Sequence, residues 1–204
     1  RRRTISRRIV SSVKKPGHHI TGFKMMMPQG QAAAKAAAVP SQEIRDITDL
    51  LNKAGCYCLN EDPGYKMQNL FMGDDRLQLR SEADEQLLLH LDFNETVKIH
   101  SINFQSPADD PEAHPVTVKL FVNRDSMGFS DANDITPVQE LELGPEDLGP
   151  DAACLLKFVK FQRVNSLIIF IEDNNGADYS SLSSIKIFGV PVAGTNMSEL
   201  KKVG

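Results

Sequence analysis

The segment 155–172 carries the clearest pattern of hydrophobic and polar positions in the chain. Residues 155–162 alternate apolar with polar side chains, and this pattern predicts a strand with one solvated face. Residues 167–171 are all apolar, which predicts a strand that is buried on both faces. Asn165 and Ser166 lie between the two as turn-forming residues. The segment therefore predicts two consecutive strands, with Phe161 and Ile169 in the core.

Similar short strands recur along the chain. Their connections are rich in Pro, Gly, Asp and Asn, as in residues 106–115 and 144–150. Seven or eight short strands with such loops predict an all-β fold, either an antiparallel β-sandwich or a jelly roll. The predicted strands cover residues 86–92, 97–104, 116–123, 138–143, 155–162, 166–172 and 183–188.

The part of the chain before the strands has a different character. Residues 1–24 are basic and nearly free of apolar clusters, and residues 31–39 are Ala-rich, so residues 1–40 are predicted to form an extended N-terminal tail. A short N-terminal helix is predicted next, from Ser41 as N-cap to Gly55, with Ile44, Ile47 and Leu51 along one face. The predicted organisation is a tail over residues 1–40 and one folded domain over residues 41–204.

The net charge of −4 conceals an asymmetry. Residues 1–24 hold eight Lys or Arg and no acidic residue, so the other 180 residues carry a net charge of −12. An acidic body repels nucleic acid, which argues against DNA or RNA binding by the folded part and favours a basic protein partner. No apolar run approaches the roughly 20 residues that a transmembrane helix needs, so no membrane span is predicted.

The basic tail admits several interpretations. A basic, serine-containing segment without acidic residues is typical of an organelle transit peptide. The tail would also bind an acidic surface such as a microtubule or a membrane, and two of its segments resemble kinase sites. A functionless extension is the remaining interpretation. The tail residues that would contact a partner are Arg1, Arg2, Arg3, Arg7, Arg8, Lys14 and Lys15.

The cysteines and histidines give little indication of chemistry. Cys56 and Cys58 have one residue between them, where a redox pair needs two, and a set of four zinc ligands is not apparent. We expect one thiol to be buried and the other to face outward, with a reactive pair as the alternative. Three cysteines are too few for a disulfide scaffold and favour a reducing compartment. His90 and His100 are expected to pack or lie at the surface, and no metal or cofactor is expected.

An acidic segment precedes the first predicted strand. Glu82, Asp84 and Glu85 follow Ser81, and paired carboxylates of this kind serve in acid–base catalysis or Ca²⁺ binding when a pocket or further oxygen ligands are present. We expect a structural role instead, in which Ser81 or Asp84 caps a turn. An acidic docking patch for a basic partner is the alternative.

Several blocks together resemble the PITH domain family over roughly residues 43–203. They are Lys-Ala-Gly-Cys-Tyr-Cys-Leu-Asn at 53–60, Ser-Glu-Ala-Asp-Glu-Gln-Leu-Leu at 81–88, Phe-Val-Lys-Phe-Gln at 158–162 and Thr-Asn-Met at 195–197. The resemblance implies a jelly roll similar to galactose-binding-like domains. It also implies docking on the regulatory particle of the 26S proteasome. The family-motif residues that it marks for interaction are Cys58, Asn60, Ser81, Glu82, Asp84, Glu85, Lys160, Gln162 and Asn165.

The sequence differs in one respect from family members that combine this domain with a thioredoxin domain. It contains no Cys-x-x-Cys, and no thioredoxin domain is recognised in it, so oxidoreductase activity is not expected. The predicted function is therefore a non-catalytic protein-interaction module in the cytoplasm or nucleus. The alternatives are a structural subunit of a ciliary microtubule assembly, with the tail threading between partners, and a thiol-redox accessory protein. A transit-peptide tail would instead direct the chain to an organelle.

Overall fold

The computed structural model describes residues 43–74 and 76–192, which form ten strands and one short α-helix. Five 3₁₀ helices cover Thr48–Leu50, Met67–Phe71, Pro111–Ala113, Pro145–Leu148 and Phe158–Phe161, and helix α1 covers Phe129–Asp134. The strands are β1 (Arg45–Asp46), β2 (Tyr57–Leu59), β3 (Leu79–Arg80), β4 (Leu87–Gln105), β5 (Pro115–Val122), β6 (Gln139–Glu142), β7 (Cys154–Leu155), β8 (Val164–Asn174), β9 (Ser181–Leu182) and β10 (Ser184–Pro191).

The long strand β4 organises the sheet. Its first part, up to Asp92, lies between β2 and β8, and its second part, from Val97, lies between β10 and β7. The register shifts between Asp92 and Val97, so one strand serves two groups of neighbours. The strand order is β1-β10-β4-β8-β5-β6, β3 pairs with β9, and all these pairings are antiparallel. The predicted antiparallel jelly-roll sandwich is confirmed.

Two hydrophobic cores lie on opposite faces of β8. Leu167, Ile169 and Ile171 belong to the main core, whereas Ile168 and Phe170 belong to a smaller second core. The second core also includes Ala132 of helix α1, so that β8 is covered on both faces. All five β8 residues are fully buried, which confirms the strand that the continuous apolar run predicted.

A glycine marks the closest backbone approach in the sheet. The pairing of β10 with β4 shifts between Phe188 and Gly189. A Cβ atom built on Gly189 would lie 2.1 Å from the carbonyl oxygen of Lys98, so no side chain fits there without displacing the strand.

The predicted helix over residues 41–55 is wrong. Its described part contains β1, the 3₁₀ turn Thr48–Leu50 and an extended Leu51. The reason is that Ile47 donates its backbone N–H to the Ile187 carbonyl oxygen of β10, at 2.8 Å, so sheet pairing replaces helical hydrogen bonds. Ile47 and Leu51 are buried as expected, but Ile44 is exposed. Ser41 and the tail over residues 1–40 lie outside the described residues.

The strand boundaries around residue 160 also differ from the prediction. The predicted strand 155–162 is replaced by the two-residue strand β7 and the 3₁₀ helix Phe158–Phe161. Asn165 and Ser166 form part of β8 rather than a turn, because Asn165 donates its N–H to Asn123 Oδ1 and Ser166 accepts from Asn123 N. The predicted strands 86–92 and 97–104 form the single strand β4.

Candidate protein-interaction surface

Three apolar side chains near the C-terminal end of β7 are exposed to solvent. Leu155 is 67% exposed, Phe158 45% and Val159 87%. Three basic residues lie in the same stretch of chain and are also exposed. We call this group the apolar–basic surface, and it consists of Leu155, Lys157, Phe158, Val159, Lys160 and Arg163. Large apolar side chains clustered in a polar surround are typical of interaction sites.

The 3₁₀ helix Phe158–Phe161 holds the apolar–basic surface rigidly. Phe161 is fully buried in the main core and anchors the helix. Lys160 donates its backbone N–H to the Lys157 carbonyl oxygen at 2.7 Å, and Gln162 Nε2 donates to the Phe158 carbonyl oxygen at 2.8 Å. The exposed side chains are therefore carried by a backbone whose conformation is fixed before a partner binds, which lowers the entropic cost of binding.

The outer edge of β7 is closed by side chains. Gln139 of β6 donates from Nε2 to the Leu155 carbonyl oxygen, at 3.2 Å, and accepts the Lys157 N–H at Oε1, at 2.7 Å. Lys160 Nζ donates to the Val138 carbonyl oxygen at 3.0 Å. These bonds occupy backbone groups that an added strand would need, so the edge is not open to strand addition at these positions.

The charges of the apolar–basic surface are not neutralised by neighbours. Lys157, Lys160 and Arg163 take part in none of the three ion pairs found within the described ranges. The ring of His100 meets Phe158 edge-on, with centroids 6.4 Å apart, and extends the surface toward β4. The surface therefore presents apolar contact area together with positive charge.

The acidic motif loop is built as a structural element. Asn60 Nδ2 donates to Asp84 Oδ1 at 2.8 Å and to the Gln86 carbonyl oxygen at 2.7 Å, while Asn60 Oδ1 accepts the Ala83 N–H. Asp84 Oδ1 also accepts the Gln86 N–H at 3.1 Å and so caps the turn. Ser81 is buried, and its Oγ accepts a backbone N–H from residue 180. Sequence reasoning gave such a role to Ser81 or Asp84.

The remaining motif residues fall into two groups. Gln162 bonds to the Phe158 carbonyl oxygen, and Asn165 Oδ1 accepts the Thr96 hydroxyl at 2.7 Å. Glu82 is exposed and Glu85 half-buried, and both lie in the loop that Asn60 secures. The structure therefore places Lys160 on the apolar–basic surface, with Gln162 bonded to its Phe158, and keeps Ser81, Glu82, Asp84 and Glu85 together elsewhere.

The expectation that one of the two neighbouring thiols faces outward is wrong. Cys56 and Cys58 are both half-buried and both pack against the main core. Residues two apart on an extended chain share a side, which explains this placement. Burial, followed by the charge of Glu61, raises the pKa of Cys58 far above its ordinary value, and burial also raises the pKa of Cys56. Both thiols are therefore protonated at neutral pH, which does not favour nucleophilic chemistry.

A polar cleft of about 350 Å³ lies beside the second core. Its lining includes Tyr57, His90, Asp92 and Arg124. His90 is buried, stacks on the Tyr57 ring at 4.7 Å, and places Nε2 3.2 Å from the Arg124 carbonyl oxygen. This His therefore packs, as the sequence suggested. Within residues 43–74 and 76–192, no three His, Cys, Asp or Glu side chains lie together in a way that suits a metal ion.

Sequence reasoning missed the exposed positions of the apolar–basic surface. It predicted a strand over residues 155–162, and it did not single out Leu155, Phe158 or Val159 as exposed. A partial signal was present, because Phe158 and Phe161 are three residues apart, a spacing that does not fit the alternate positions of a strand.

The fold defines a class, a jelly-roll domain of the galactose-binding-like type, and this domain carries the exposed apolar–basic surface. Comparison with known proteins specifies the class further. The family model described as the PITH domain matches residues 37–204. The chain belongs to the PITH domain family, and this membership supports a role in protein interaction.

Relatives confirm the assignment. Thioredoxin-like protein 1 of Schizosaccharomyces pombe is 33% identical over 175 residues, which cover 84% of this chain and 60% of the relative. PITH domain-containing protein 1 of Homo sapiens is 31% identical over 137 residues, which cover 65% of this chain and 63% of the relative. The matches thus span about three-fifths of the length of these relatives.

Solved structures confirm the fold. The family 32 CBM from C. perfringens NanJ, in complex with galactose, has a TM-score of 0.53 at 10% identity and covers 72% of this chain and 99% of its own. The structure of the CBM32-1 and CBM32-2 domains of Clostridium perfringens ZmpB, in complex with GalNAc, has a TM-score of 0.56 at 9% identity. The match covers 71% of this chain and 36% of that structure. Likeness at this identity shows the galactose-binding-like sandwich alone. No helix of the described ranges is long and apolar enough to cross a membrane.

Proposed function

We propose that this chain is a non-catalytic docking module that binds a large protein assembly through the apolar–basic surface. The observation that carries the proposal is the exposure of Leu155, Phe158 and Val159 on a backbone fixed by buried Phe161 and by hydrogen bonds from Gln139. Three exposed large apolar side chains within five residues of the chain offer apolar contact area to a partner. Their burial against a partner supplies a binding free energy.

The partner that we propose is the regulatory particle of the 26S proteasome, in the cytoplasm or nucleus. Support comes from the family, which is named for proteasome-interacting thioredoxins, and from the similarity to a thioredoxin-like protein. The chain has no Cys-x-x-Cys, and its two neighbouring thiols have raised pKa values. The proposed contribution of this domain is therefore attachment and not thiol chemistry.

Binding of the full chain to purified 26S proteasomes tests the proposal, with Val159→Asp as the central variant. Burying a large apolar side chain contributes about 1.5–3 kcal/mol, and a buried unpaired charge is unfavourable. We expect Val159→Asp to weaken binding by at least about tenfold. Because Val159 is 87% exposed, the melting temperature of the variant should match that of the wild type.

Met72→Asp is the matched control, because Met72 is 62% exposed and lines a separate apolar groove with Met67 and Phe71. This control should bind proteasomes like the wild type. Wild-type binding by Val159→Asp, or loss of binding only with Met72→Asp, would remove the apolar–basic surface as the docking site. Binding to microtubules but not to proteasomes would replace the proposed partner with the ciliary alternative.

A further inference from the structure

Within the described residues 43–74 and 76–192, the apolar–basic surface is the most basic part of an acidic body. Residues 152–171 include no Asp or Glu, whereas the chain from residue 25 onward has a net charge of −12. Of the twelve Lys and Arg side chains in residues 43–74 and 76–192, three lie between 157 and 163. The charge of this surface is therefore opposite to that of the body around it.

Basic side chains flank the exposed apolar side chains within the surface. Lys157 and Lys160 flank Phe158 and Val159, and Arg163 follows. We infer that the apolar–basic surface binds an acidic peptide segment of its partner in which carboxylates alternate with large apolar side chains. The inference rests on the proposed docking function and specifies the chemistry of the partner. A basic partner surface, which the net charge of the body favours, would be repelled at this position.

The hydrogen bonds around β7 determine how such a segment binds. Gln139 occupies the Leu155 carbonyl and the Lys157 N–H, so the partner does not add a strand to this edge. Recognition depends instead on side chains, with apolar anchors on Phe158 and Val159 and carboxylates directed toward Lys157 and Arg163. Binding should therefore be sensitive both to salt and to the removal of apolar side chains.

Other polyanions fit the surface less well. Nucleic acids bind through many phosphate contacts, and three basic side chains in an acidic body supply few of them. Attraction to an anionic membrane contributes about 1 kcal/mol of binding free energy for each basic residue near the membrane surface. The same membrane would also repel the surrounding carboxylates. A single peptide segment contacts only the surface itself and avoids this repulsion.

Fluorescence anisotropy with labelled synthetic peptides tests the inference on the full chain. One probe is an acidic peptide that alternates Glu with Leu and Phe, and the matched probe replaces every Glu by Gln. We expect the acidic peptide to bind at least about fivefold more tightly, with an affinity that falls as salt rises from low to physiological concentration. Equal affinity for the two peptides, or no measurable binding of the acidic one, would overturn the inference.

The variant Lys157→Glu/Arg163→Glu reverses two charges whose side chains make no hydrogen bond within the described residues, so the fold should persist. It should weaken acidic-peptide binding at least about tenfold, whereas Lys186→Glu, an exposed control on β10, should not. If Val159→Asp abolishes proteasome binding but the double variant binds proteasomes and peptide normally, the docking function stands and the acidic-segment inference fails. Tighter binding to phosphatidylserine vesicles than to the peptide, lost in the double variant, would also overturn it.

Discussion

At the scale of single residues, Asn60 shows how a family-motif position serves the fold. Its backbone has φ of 65°, in the left-handed region that Asn tolerates better than most residues. Its side chain makes bonds to both Asp84 and Gln86 and accepts the Ala83 N–H. One amide therefore connects the end of β2 to the acidic loop that precedes β4, which a sequence pattern cannot reveal.

Asn60→Ala should destabilise the protein by about 2–3 kcal/mol. The substitution removes the hydrogen bonds that close the loop, and it places alanine, which tolerates a positive φ less well than asparagine, in the left-handed region. Urea unfolding measures the change in the free energy of unfolding. Asn60→Gly separates the two effects, since glycine adopts this φ freely. We expect Asn60→Gly to lose less stability than Asn60→Ala, and equal losses would show that the backbone conformation contributes nothing.

At the scale of elements, the 3₁₀ helix Phe158–Phe161 marks the limit of what the sequence predicts. Its residues are typical of a strand, and the alternation of apolar and polar residues predicted one. The spacing of three between Phe158 and Phe161 breaks that alternation, and the helix places only Phe161 in the core. This short helix depends on the packing of Phe161 in the core and on the hydrogen bonds of Gln139. Because these two residues lie 22 positions apart in sequence, a local pattern does not reveal the helix.

Phe161→Ala should cost about 3–5 kcal/mol of stability, because the Phe161 side chain is fully buried in the main core. Phe158→Ala should cost less than about 1 kcal/mol, because the Phe158 side chain is half-exposed. The two variants change the same residue type within one helix and so serve as mutual controls in thermal and urea unfolding. A loss of stability in Phe158→Ala as large as that in Phe161→Ala would contradict the assignment of Phe158 to a binding surface.

Longer elements follow from the sequence more directly than short ones. Strands β5, β8 and β10 were predicted because several consecutive residues alternate or form continuous apolar runs. Strands β1, β3 and β9 have two residues each, too few for any period, and their pairing depends on partners more than 100 residues away. The motif loop was recognisable from the family resemblance, but its closure by Asn60 depends on geometry.

At the scale of the whole molecule, charge and burial are distributed unevenly. The body is acidic, yet the acid-free segment 152–171 supplies both the fully buried residues 167–171 of β8 and the apolar–basic surface. An acidic residue in this segment would either enter the core or neutralise the surface. Core formation and partner selection therefore depend on the same stretch of chain, and a substitution there affects stability, binding or both according to the exposure of the side chain.

The three thiols make the stability of the whole molecule sensitive to alkaline pH. Burial, assisted by Asp147, raises the pKa of Cys154 to about 11 from an ordinary value of 9.0, and the pKa values of Cys56 and Cys58 are raised as well. Unfolding returns each thiol to its ordinary pKa, so the unfolded state releases protons first. The stabilisation by the buried, protonated thiols is therefore complete below about pH 8.5. It is lost as the pH rises toward the pKa values of the thiols in the folded state.

The free energy of unfolding should fall above about pH 8.5 by up to about 1.4 kcal/mol per pH unit for each buried thiol. Urea unfolding between pH 7 and pH 10 measures this dependence. Lysine and tyrosine also titrate in this range, so the informative quantity is the difference between the wild type and Cys58→Ala. That variant should lose some stability at pH 7 through lost packing, but its stability should then decline less steeply with pH. Parallel curves for the two proteins would show that the Cys58 thiol titrates alike in the folded and unfolded states, in contradiction to its burial beside Glu61.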